Sequence, residues 1–243
     1  MPSDHSIDPS SIVSDPARLR AVRRTGLLGT RSEESFDRMT RLAVRLTGAP
    51  VSFFSLVVED HDFFKSCYGA PEPLATTRKV TGRSFCHYSL LSETPMRVTD
   101  ARLDDDLRTL PSVLELGVVA YLGIPLKLAS GEMIGSMCAV DFKPHAWTDG
   151  EVEIMQELAA SALREVELRM AGTERSRVVS ALITHLRDPL TIVQLNVDLL
   201  EDSATQAERA ERIQRIREAC DRMEVGVRQC LQADRQELVS ATD

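Results

Sequence analysis

The sequence predicts an α+β domain built on an antiparallel sheet, followed by a long helical hairpin. Two observations lead to this prediction. Short apolar runs bounded by turn residues, which are typical of strands, occur between residues 51 and 142. From Thr148 onward the apolar residues recur in steps of three and four, which is the period of a helix. The change of period therefore separates a mixed domain from a purely helical one.

Two helices are predicted before the first strand. Asp15 followed by Pro16 is a typical helix start, and this helix should run to about Leu27. A second helix should run over 33–47 and end at Gly48, because glycine readily takes the left-handed conformation of a C-terminal cap. The apolar face of the second helix consists of Phe36, Met39, Leu42, Ala43 and Leu46.

Strand signals form two predicted hairpins. The first apolar run is apolar on both faces, which favours a central strand covered on both sides. The polar segment 59–62 should be a turn, and about fifty residues of loop and short helix, including 84–91 and 111–116, separate the hairpins. Connections of this length are unusual in a compact domain and often bind ligands. The predicted strands cover 51–58, 63–68, 96–99, 118–128 and 132–142.

The helical part contains apolar stripes with a seven-residue repeat, which is typical of helices that pack lengthwise. Gly172 and Thr173 should interrupt the first helix, and stripes then run over 179–200 and 213–230. The polar turn at 201–206 between these stripes favours an antiparallel hairpin. One hairpin can bury only part of its apolar surface, so we expect a homodimer in which two hairpins form a four-helix bundle.

Composition argues against several classes of protein. The net charge of -8 and the pI of about 5.3 disfavour a general nucleic-acid-binding protein. No apolar run approaches the ~18–20 residues that cross a bilayer, and residues 1–14 lack the pattern of a secretion signal. The five scattered cysteines show no CxxC pair, which fits reduced thiols. We therefore expect a cytoplasmic protein without membrane insertion and without a nucleic-acid partner.

Several short strings in the first domain carry a family resemblance. They begin at Asp15 (Asp-Pro-Ala-Arg-Leu), Glu33 (Glu-Glu-Ser-Phe-Asp-Arg), Ala49 (Ala-Pro-Val-Ser), Asp62 (Asp-Phe-Phe-Lys-Ser), Ser84 (Ser-Phe-Cys-His), Gly123 (Gly-Ile-Pro-Leu) and Gly135 (Gly-Ser-Met-Cys-Ala-Val-Asp). Residues 15–169 thereby resemble the GAF family of sensor domains, in a bacterial subgroup found in signalling proteins. The resemblance implies an antiparallel sheet with helices on one side and a ligand pocket on the other. Members bind cyclic nucleotides, bilins, haem or small metabolites, so the family does not identify the ligand.

The resemblance implies a pocket for an unidentified small molecule, although the same side chains are equally consistent with an ordinary core. We predict neither a cofactor nor a metal site. In bilin-binding members the attachment cysteine usually lies near the segment equivalent to 108–116, which contains none here. No second Cys/His pair is spaced to complete a metal site, so we expect Cys86 in the core and His87 facing the loop. The residues expected to line the pocket are Phe54, Phe64, Phe85, Cys86, His87, Tyr121 and Met137.

Two acidic runs could in principle bind a cation. They are Asp104-Asp105-Asp106 and the Glu-Asp-His-Asp segment at 59–62. Runs of like charge usually lie on solvated loops, because their mutual repulsion is screened by water. We therefore expect a solvated loop at the first run and a turn at the second.

The string Thr184-His-Leu-Arg-Asp-Pro-Leu-Thr carries a second resemblance. Over 174–238 the chain resembles the dimerisation and phosphoacceptor hairpin of histidine kinases, whose pattern is His-Glu-Leu-Arg-(Thr or Asn)-Pro-Leu. Here His185 lies four residues before Pro189 rather than five, which rotates its side chain by about 100° on a helix. The resemblance makes His185 a candidate phosphoacceptor and Asp188 a candidate supporting polar group. The alternative is that His185 is simply a polar residue on the surface of the bundle.

These observations predict a tail at 1–14, a GAF sensor domain at 15–171, a hairpin at 172–238 and a tail at 239–243. After Gly172 the only glycine is Gly226, so no glycine-rich phosphate loop and no ATP-binding domain are expected, and enzyme activity stays uncertain. We expect a signal-transduction sensor of two-component type, read by a response regulator or partner kinase. The alternatives are a histidine phosphotransfer protein that uses His185, or one end of a longer sensor kinase.

Overall fold

The computed structural model describes residues 8–201 and 205–240, except for the side chains at 174, 175, 177, 178, 181, 184, 201, 230, 231 and 233–240. The chain divides into two compact units, Met1–Met170 and Ala171–Asp243, and each has its own architecture. The ends of the two predicted tails and the middle of the predicted turn at 201–206 lie outside the described residues.

The first unit contains a six-stranded antiparallel sheet with the order β3-β2-β1-β6-β5-β4. All seven residues of β1 are buried, as its position between β2 and β6 requires. Five of the six strands and the α+β class were predicted. Strand β3 was missed because its three residues are only exposed or half-buried and contain no apolar run. The strands are β1 (Val51–Val57), β2 (His61–Tyr68), β3 (Lys79–Thr81), β4 (Met96–Val98), β5 (Ala120–Lys127) and β6 (Met133–Asp141).

Helices occur before, between and after the strands along the chain. Those of the first unit are α1 (Ser10–Val13), α2 (Pro16–Arg24), α3 (Glu34–Thr47), α4 (Leu74–Thr77), α5 (Phe85–Ser89), α6 (Pro111–Leu114) and the first part of α7 (Asp149–Glu201). Short 3-10 turns occupy Ala101–Leu103 and Leu107–Thr109. Helix α1 falls within the segment predicted to be a tail, and its Val13 is buried in the core. The ordered first unit therefore includes part of that segment.

The ends of α2 and α3 follow from their capping residues. The Asp15 carboxylate accepts a hydrogen bond from the Ala17 N–H at 2.9 Å, which satisfies one free donor of the first turn of α2. Helix α2 stops at Arg24, three residues before the predicted end, and Gly26 follows with a φ of 67°. Gly48 ends α3 in the left-handed conformation, as predicted.

The buried face of α3 differs in part from the predicted one. Leu46, which the helical spacing places on the apolar face, is 53% exposed. The buried residues are Phe36, Thr40, Ala43 and Thr47. Thr40 and Thr47 can be buried because each hydroxyl bonds to a carbonyl of its own helix. Because their hydroxyl groups are hydrogen-bonded within the helix, two threonines occupy buried positions at which hydrophobicity alone predicts an apolar residue such as leucine.

Side chains are buried on both faces of the sheet, which gives the first unit two cores. The helical face is covered by α2, α3 and the start of α7, and contains Phe36, Phe54 and Met155. The opposite face is covered by short helices and connecting segments, and contains Phe53 and Phe85. Neighbouring residues such as Phe53 and Phe54 enter different cores because successive strand residues point to opposite faces.

A β-bulge in β2 places a lysine inside the first unit. Phe54 pairs with Ser66 and Ser55 pairs with Phe64, which leaves Lys65 as the extra residue. The Lys65 side chain is fully buried. A buried ammonium requires hydrogen-bond acceptors and a compensating charge, because desolvation disfavours its charged form.

Three oxygens and one carboxylate charge satisfy this requirement. Lys65 Nζ donates to Thr30 Oγ1 at 2.7 Å, to the Arg31 carbonyl at 2.6 Å and to Glu33 Oε1 at 2.5 Å. Glu33 also accepts a hydrogen bond from Arg169 Nη1 at 2.9 Å. The hydrogen bonds from Arg169 and Lys65 lower the pKa of Glu33 to about 2. Glu33 thus joins the sheet and α7 within the first unit.

The second unit consists of the end of α7 and of α8 (Gln206–Ser240). Gly172 and Thr173, predicted to interrupt the first helix, lie inside α7. The prediction was wrong because one interior glycine costs a helix only ~1 kcal/mol, which neighbouring residues readily offset. A Cβ at Gly226 would lie 3.0 Å from the Cβ of His185, so α8 packs closely against α7 at this glycine.

Much of the apolar surface of the second unit is exposed. Large aliphatic side chains on both helices are 43–60% exposed, and they include Val179, Ile183, Leu190, Leu195, Val197, Ile213 and Val225. By contrast, Asn196 and Ala219 are buried. Neither these helices nor any other in the described ranges is long and apolar enough to cross a membrane.

Candidate functional site

A cavity of about 60 Å³ lies in the first unit, on the face of the sheet opposite α2 and α3. Residues of β1, β2, β5 and β6 form its floor, and segments within 71–86 and 112–118 form its walls. The cavity has room for a few water molecules or a small ligand, whereas pockets for drug-sized ligands have volumes of about 300–1,000 Å³. It is the position at which the family resemblance places a ligand pocket.

Two stacked aromatic pairs line the cavity. The rings of Phe53 and Phe64 have centroids 4.3 Å apart, and those of Phe85 and Tyr121 have centroids 4.8 Å apart. Phe53 and Phe64 come from adjacent strands, and Phe85 is the first residue of α5. The cavity therefore offers flat apolar surfaces on which a small ligand could pack.

Tyr121 is held by a network of hydroxyl groups behind the aromatic pair. Its phenol oxygen lies 2.9 Å from Ser89 Oγ and 3.1 Å from Ser136 Oγ, within hydrogen-bond distance of both. Burial is the main cause of a strongly raised pKa at Tyr121, with Cys86 as the next cause, so the phenol is neutral at physiological pH. Gly123 makes room for this ring, since a Cβ there would lie 2.5 Å from the phenol oxygen. Tyr121 therefore acts as a fixed wall rather than as an acid or base.

The buried Cys138 thiol at the cavity also has little reactivity. Burial, followed by a hydrogen bond with Cys86, raises the pKa of the Cys138 thiol well above its ordinary value. A thiol in that state contains almost no thiolate, which is the nucleophilic form. The Cys86 side chain forms part of the cavity wall beside Tyr121, and its sulfur lies 3.7 Å from the phenol oxygen. These contacts favour packing as the role of both cysteines.

An aspartate and a histidine meet beside the cavity. Ser84 Oγ donates to Asp62 Oδ2 at 2.5 Å, and His87 Nε2 lies 3.2 Å from Asp62 Oδ1. The histidine contact is close but poorly aligned, so neither of these two atoms has a proper hydrogen-bond partner among the described residues. Ser112 Oγ, at the cavity wall, is likewise buried without a partner in the described part of the chain. Buried polar groups are usually satisfied, so these three atoms are exceptions, and none of them is accessible from the cavity, whose surface is apolar.

Secondary structure explains how Asp62 and His87 meet. Asp62 is the second residue of β2 and points to the same face as Phe64, two residues later. Ser84 directly precedes α5, but its hydroxyl donates to Asp62 instead of capping the helix. The first turn of α5 then carries His87 to the other carboxylate oxygen. The site thus depends on a strand and a helix that are separated by about twenty residues in sequence.

The structure brings together most, but not all, of the predicted pocket residues. Four line the cavity, namely Phe64, Phe85, Cys86 and Tyr121. His87 was expected to face the loop, but it is buried against Asp62.

Phe54 and Met137 lie on the other face of the sheet, in the helical core. Their neighbours Phe53 and Cys138 face the cavity instead, because side chains alternate along a strand. Aromatic or apolar character alone therefore did not predict the pocket residues correctly, because the alternation along each strand determines which side chains face the cavity.

Asp62 is a charged residue at the cavity that the sequence analysis did not select. It was assigned to the turn at 59–62, whereas the structure starts β2 at His61. The sequence contained one signal for this position: Asp62 and Phe64 are two residues apart, so on a strand both side chains point to the same face. In the other acidic run, Asp104 Oδ1 accepts backbone hydrogen bonds from Asp106 and Leu107, each at 3.0 Å. Within the described residues no cluster of three metal-ligating side chains occurs.

His185 and Asp188 lie in the second unit, on the part of α7 that follows residue 170. Both are exposed to solvent. The ring of His185 lies beside Gly226 of α8, where a Cβ would approach its Cγ to 3.2 Å and its Nδ1 to 3.4 Å. The imidazole is therefore accessible but rests partly on the neighbouring helix.

Comparison with known proteins identifies the first unit. The family model described as "GAF domain" matches residues 31–166, which is more than half of the chain. The cyclic di-GMP phosphodiesterase PA2567 of Pseudomonas aeruginosa is 26% identical over 152 residues, which are 62% of this chain and 25% of that protein. The chain thus matches only a quarter of the length of this curated relative.

Solved structures with a similar fold include domains of sensor proteins. A domain of a putative two-component sensor histidine kinase from Sinorhizobium meliloti 1021 has a TM-score of 0.48 and 19% identity, covering 59% of this chain and 97% of that one. The blue-light absorbing form of the PixJ GAF domain from Thermosynechococcus elongatus has a TM-score of 0.49 and 18% identity, covering 71% of this chain and 98% of that one.

Proposed function

Because this chain belongs to the GAF family, we propose that its first unit is a small-molecule sensor and its second unit a dimerisation hairpin of two-component type. Binding in the cavity would alter the dimeric helices, which a response regulator or partner kinase would read in the cytoplasm. The observation that carries this proposal is the cavity itself, which has aromatic walls and lies on the face of the sheet opposite α2 and α3.

The dimer is supported by a stripe of exposed side chains on α7. Ile183, Leu190 and Val197 are spaced by seven residues and therefore lie on one face of the helix. Each is 46–60% exposed in the single chain. Full burial of such a side chain contributes ~1.5–3 kcal/mol, so covering the exposed half contributes ~1 kcal/mol per residue. A second copy would supply an identical stripe, and the symmetric contact would bury both.

Light scattering coupled to size exclusion tests the dimer. The wild-type chain should be a dimer, and the double variant Ile183→Glu/Leu190→Glu should be a monomer, because two charges would be buried on the symmetric face. Leu195→Glu is the matched control: Leu195 is equally exposed on α7 but lies on the opposite side of the helix from the stripe. A monomeric wild-type chain, or a double variant that dimerises like Leu195→Glu, would overturn this part of the proposal.

Native mass spectrometry of protein purified from its own host tests the sensor. The expected spectrum contains a dimer with a bound small molecule whose loss accompanies denaturation. Phe85→Ala, which removes one wall of the cavity, should lower the bound fraction. Leu103→Ala serves as the control, since Leu103 is 86% exposed on a 3-10 turn. Equal occupancy in both variants, or an empty wild-type chain under ligand-preserving conditions, would contradict the proposed sensor.

Phosphotransfer through His185 is a second candidate function, favoured by the exposure of its imidazole and of Asp188 one turn away. Incubation with a phosphorylated partner kinase or response regulator should then place acid-labile phosphate on the wild-type chain and none on His185→Ala. Equal labelling of the two proteins, or none of either, would exclude it. The further alternative, that the chain is one end of a longer sensor kinase, is tested by the neighbouring coding sequence.

A further inference from the structure

We infer that the cavity binds a small, uncharged, apolar molecule of about four non-hydrogen atoms, such as a short branched hydrocarbon. This inference rests on the proposed sensor function, because it names the class of ligand for the same cavity. It follows from the direction of the polar groups around the cavity, from the chemistry of its walls and from its volume.

The polar side chains around the cavity present no donor or acceptor to a ligand. The Ser84 hydroxyl donates to Asp62 Oδ2, and Asp62 Oδ1 faces His87 Nε2 at 3.2 Å. Ser112 Oγ is buried and inaccessible from the cavity. The Tyr121 hydroxyl lies within hydrogen-bond distance of two serines, neither of which lines the cavity. A ligand that needs hydrogen bonds would therefore lose its water and gain no replacement.

Charge disfavours ions of either sign. Among the residues that line the cavity, Asp62 is the only one with a formal charge. An anion would be repelled by this carboxylate in a poorly screened interior. A cation would find both carboxylate oxygens turned toward Ser84 and His87, so nothing accessible would offset the loss of its hydration. The cavity thus favours an uncharged occupant.

The walls favour an apolar occupant over water. A buried water needs two to four polar partners, and the surface of the cavity is apolar. Side chains around an empty space lose dispersion contacts on that side, and an apolar molecule would restore them. Two stacked aromatic pairs form part of the walls, and aliphatic side chains form much of the rest, namely Val51, Leu74, Val80, Leu116, Val118 and Val140.

The volume limits the size of the occupant. The cavity measures about 60 Å³. An engineered apolar cavity of roughly 150 Å³ binds benzene, so the ligand here should be smaller than benzene. Two of the lining residues, Leu116 and Phe142, are 39% and 42% exposed, so the cavity borders the surface of the first unit there. A small molecule can therefore reach it from solvent.

A series of probes with the same branched shape tests the inference on the full chain. Isobutene, acetone, acetamide and acetate each have four non-hydrogen atoms but differ in polarity and charge. They are titrated by ligand-observed NMR at pH 7. Isobutene should bind at least tenfold more tightly than each of the others. Equal affinity for the probes, or preference for acetamide or acetate, would overturn the inference.

Intermolecular NOEs in methyl-labelled protein locate the bound probe. Isobutene should give NOEs to methyl groups at the cavity, such as those of Val80, Val118 and Val140. It should give none to Val152 and Val166, which lie in the helical core on the other face of the sheet. NOEs confined to the helical core, or to the exposed stripe on α7, would show binding elsewhere and refute the inference.

Two leucines close in sequence provide a matched pair of variants. Leu116 lines the cavity, whereas Leu114 is 72% exposed and is not part of its lining. Leu116→Trp should reduce the free volume and weaken isobutene binding at least tenfold, while Leu114→Trp should leave binding unchanged. Equal binding of isobutene to the two variants would contradict the inference.

Failure of this inference is distinguishable from failure of the sensor proposal. If native mass spectrometry finds a charged or hydrogen-bonding molecule that Phe85→Ala loses, the sensor stands and the apolar ligand is wrong. If isobutene binds in the cavity but the methyl signals of Leu190 and Val197 in the second unit do not shift, the apolar site stands and the proposed coupling is wrong. If no probe binds and no molecule copurifies, both are wrong.

Discussion

Replacement of Glu33 by Gln should destabilise the first unit by about 2–3 kcal/mol at pH 7. The Glu33 carboxylate bridges the fully buried ammonium of Lys65 and the guanidinium of Arg169. These contacts lower its pKa from 4.5 to about 2. At ~1.36 kcal/mol per pKa unit such a shift corresponds to ~3 kcal/mol, and the 31% exposure of the side chain reduces this through solvent screening. Gln keeps the shape but leaves the charge of Lys65 without its carboxylate.

The pH dependence has a definite sign. The folded-state pKa of Glu33 lies below the unfolded value, so its contribution to stability is complete above pH 4.5. It is lost as the pH falls from 4.5 through about 2, because below both pKa values the carboxylate is protonated in both states. The stability difference between the wild type and Glu33→Gln should therefore be full at pH 7 and should shrink steadily below pH 4.5.

Urea denaturation followed by tryptophan fluorescence measures this difference. Trp147 is the only tryptophan, and it is buried in the first unit, so its signal reports the unfolding of that unit. Glu34→Gln is the matched control, because the neighbouring Glu34 is 75% exposed and pairs with Arg41 on the surface. That variant should lose less than ~0.5 kcal/mol. Equal small losses in both variants, or a loss in Glu33→Gln that does not change between pH 7 and pH 3, would refute the charge-bridge reasoning.

Two further predictions concern the first unit and the thiols. Gly135→Ala should destabilise the sheet by at least ~3 kcal/mol, since a Cβ would overlap the Ser55 carbonyl on the adjacent strand. Gly150→Ala is the control: a Cβ there meets open space, so the free energy of unfolding should change by less than ~1 kcal/mol. Similar urea midpoints for the two variants would contradict the packing. In the folded chain iodoacetamide should label exposed Cys220 first and Cys138 last, because Cys138 is buried and burial raises the pKa of its thiol; equal rates by peptide mass mapping would contradict this.

Local sequence patterns predicted an element correctly where the residue type at a position has a single structural explanation. Apolar character on both faces indicated the central position of β1, and Gly48 indicated the end of α3. Patterns failed where a position depended on strand register. Phe54 and Met137 were predicted to line the pocket, but alternation along β1 and β6 turns them to the helical core.

The sequence alone determined the α+β class, five of the six strands and the helical character of the chain after Thr148, because hydrophobic periodicity follows from the local geometry of each element. Only the tertiary structure revealed the polar site. The sequence predicts a turn at Asp62, and nothing local in the chain indicates that its carboxylate meets the imidazole of His87 beside an apolar cavity. That meeting depends on the strand order and on how α5 packs over β2, which are set by long-range contacts rather than by the residues next to either side chain.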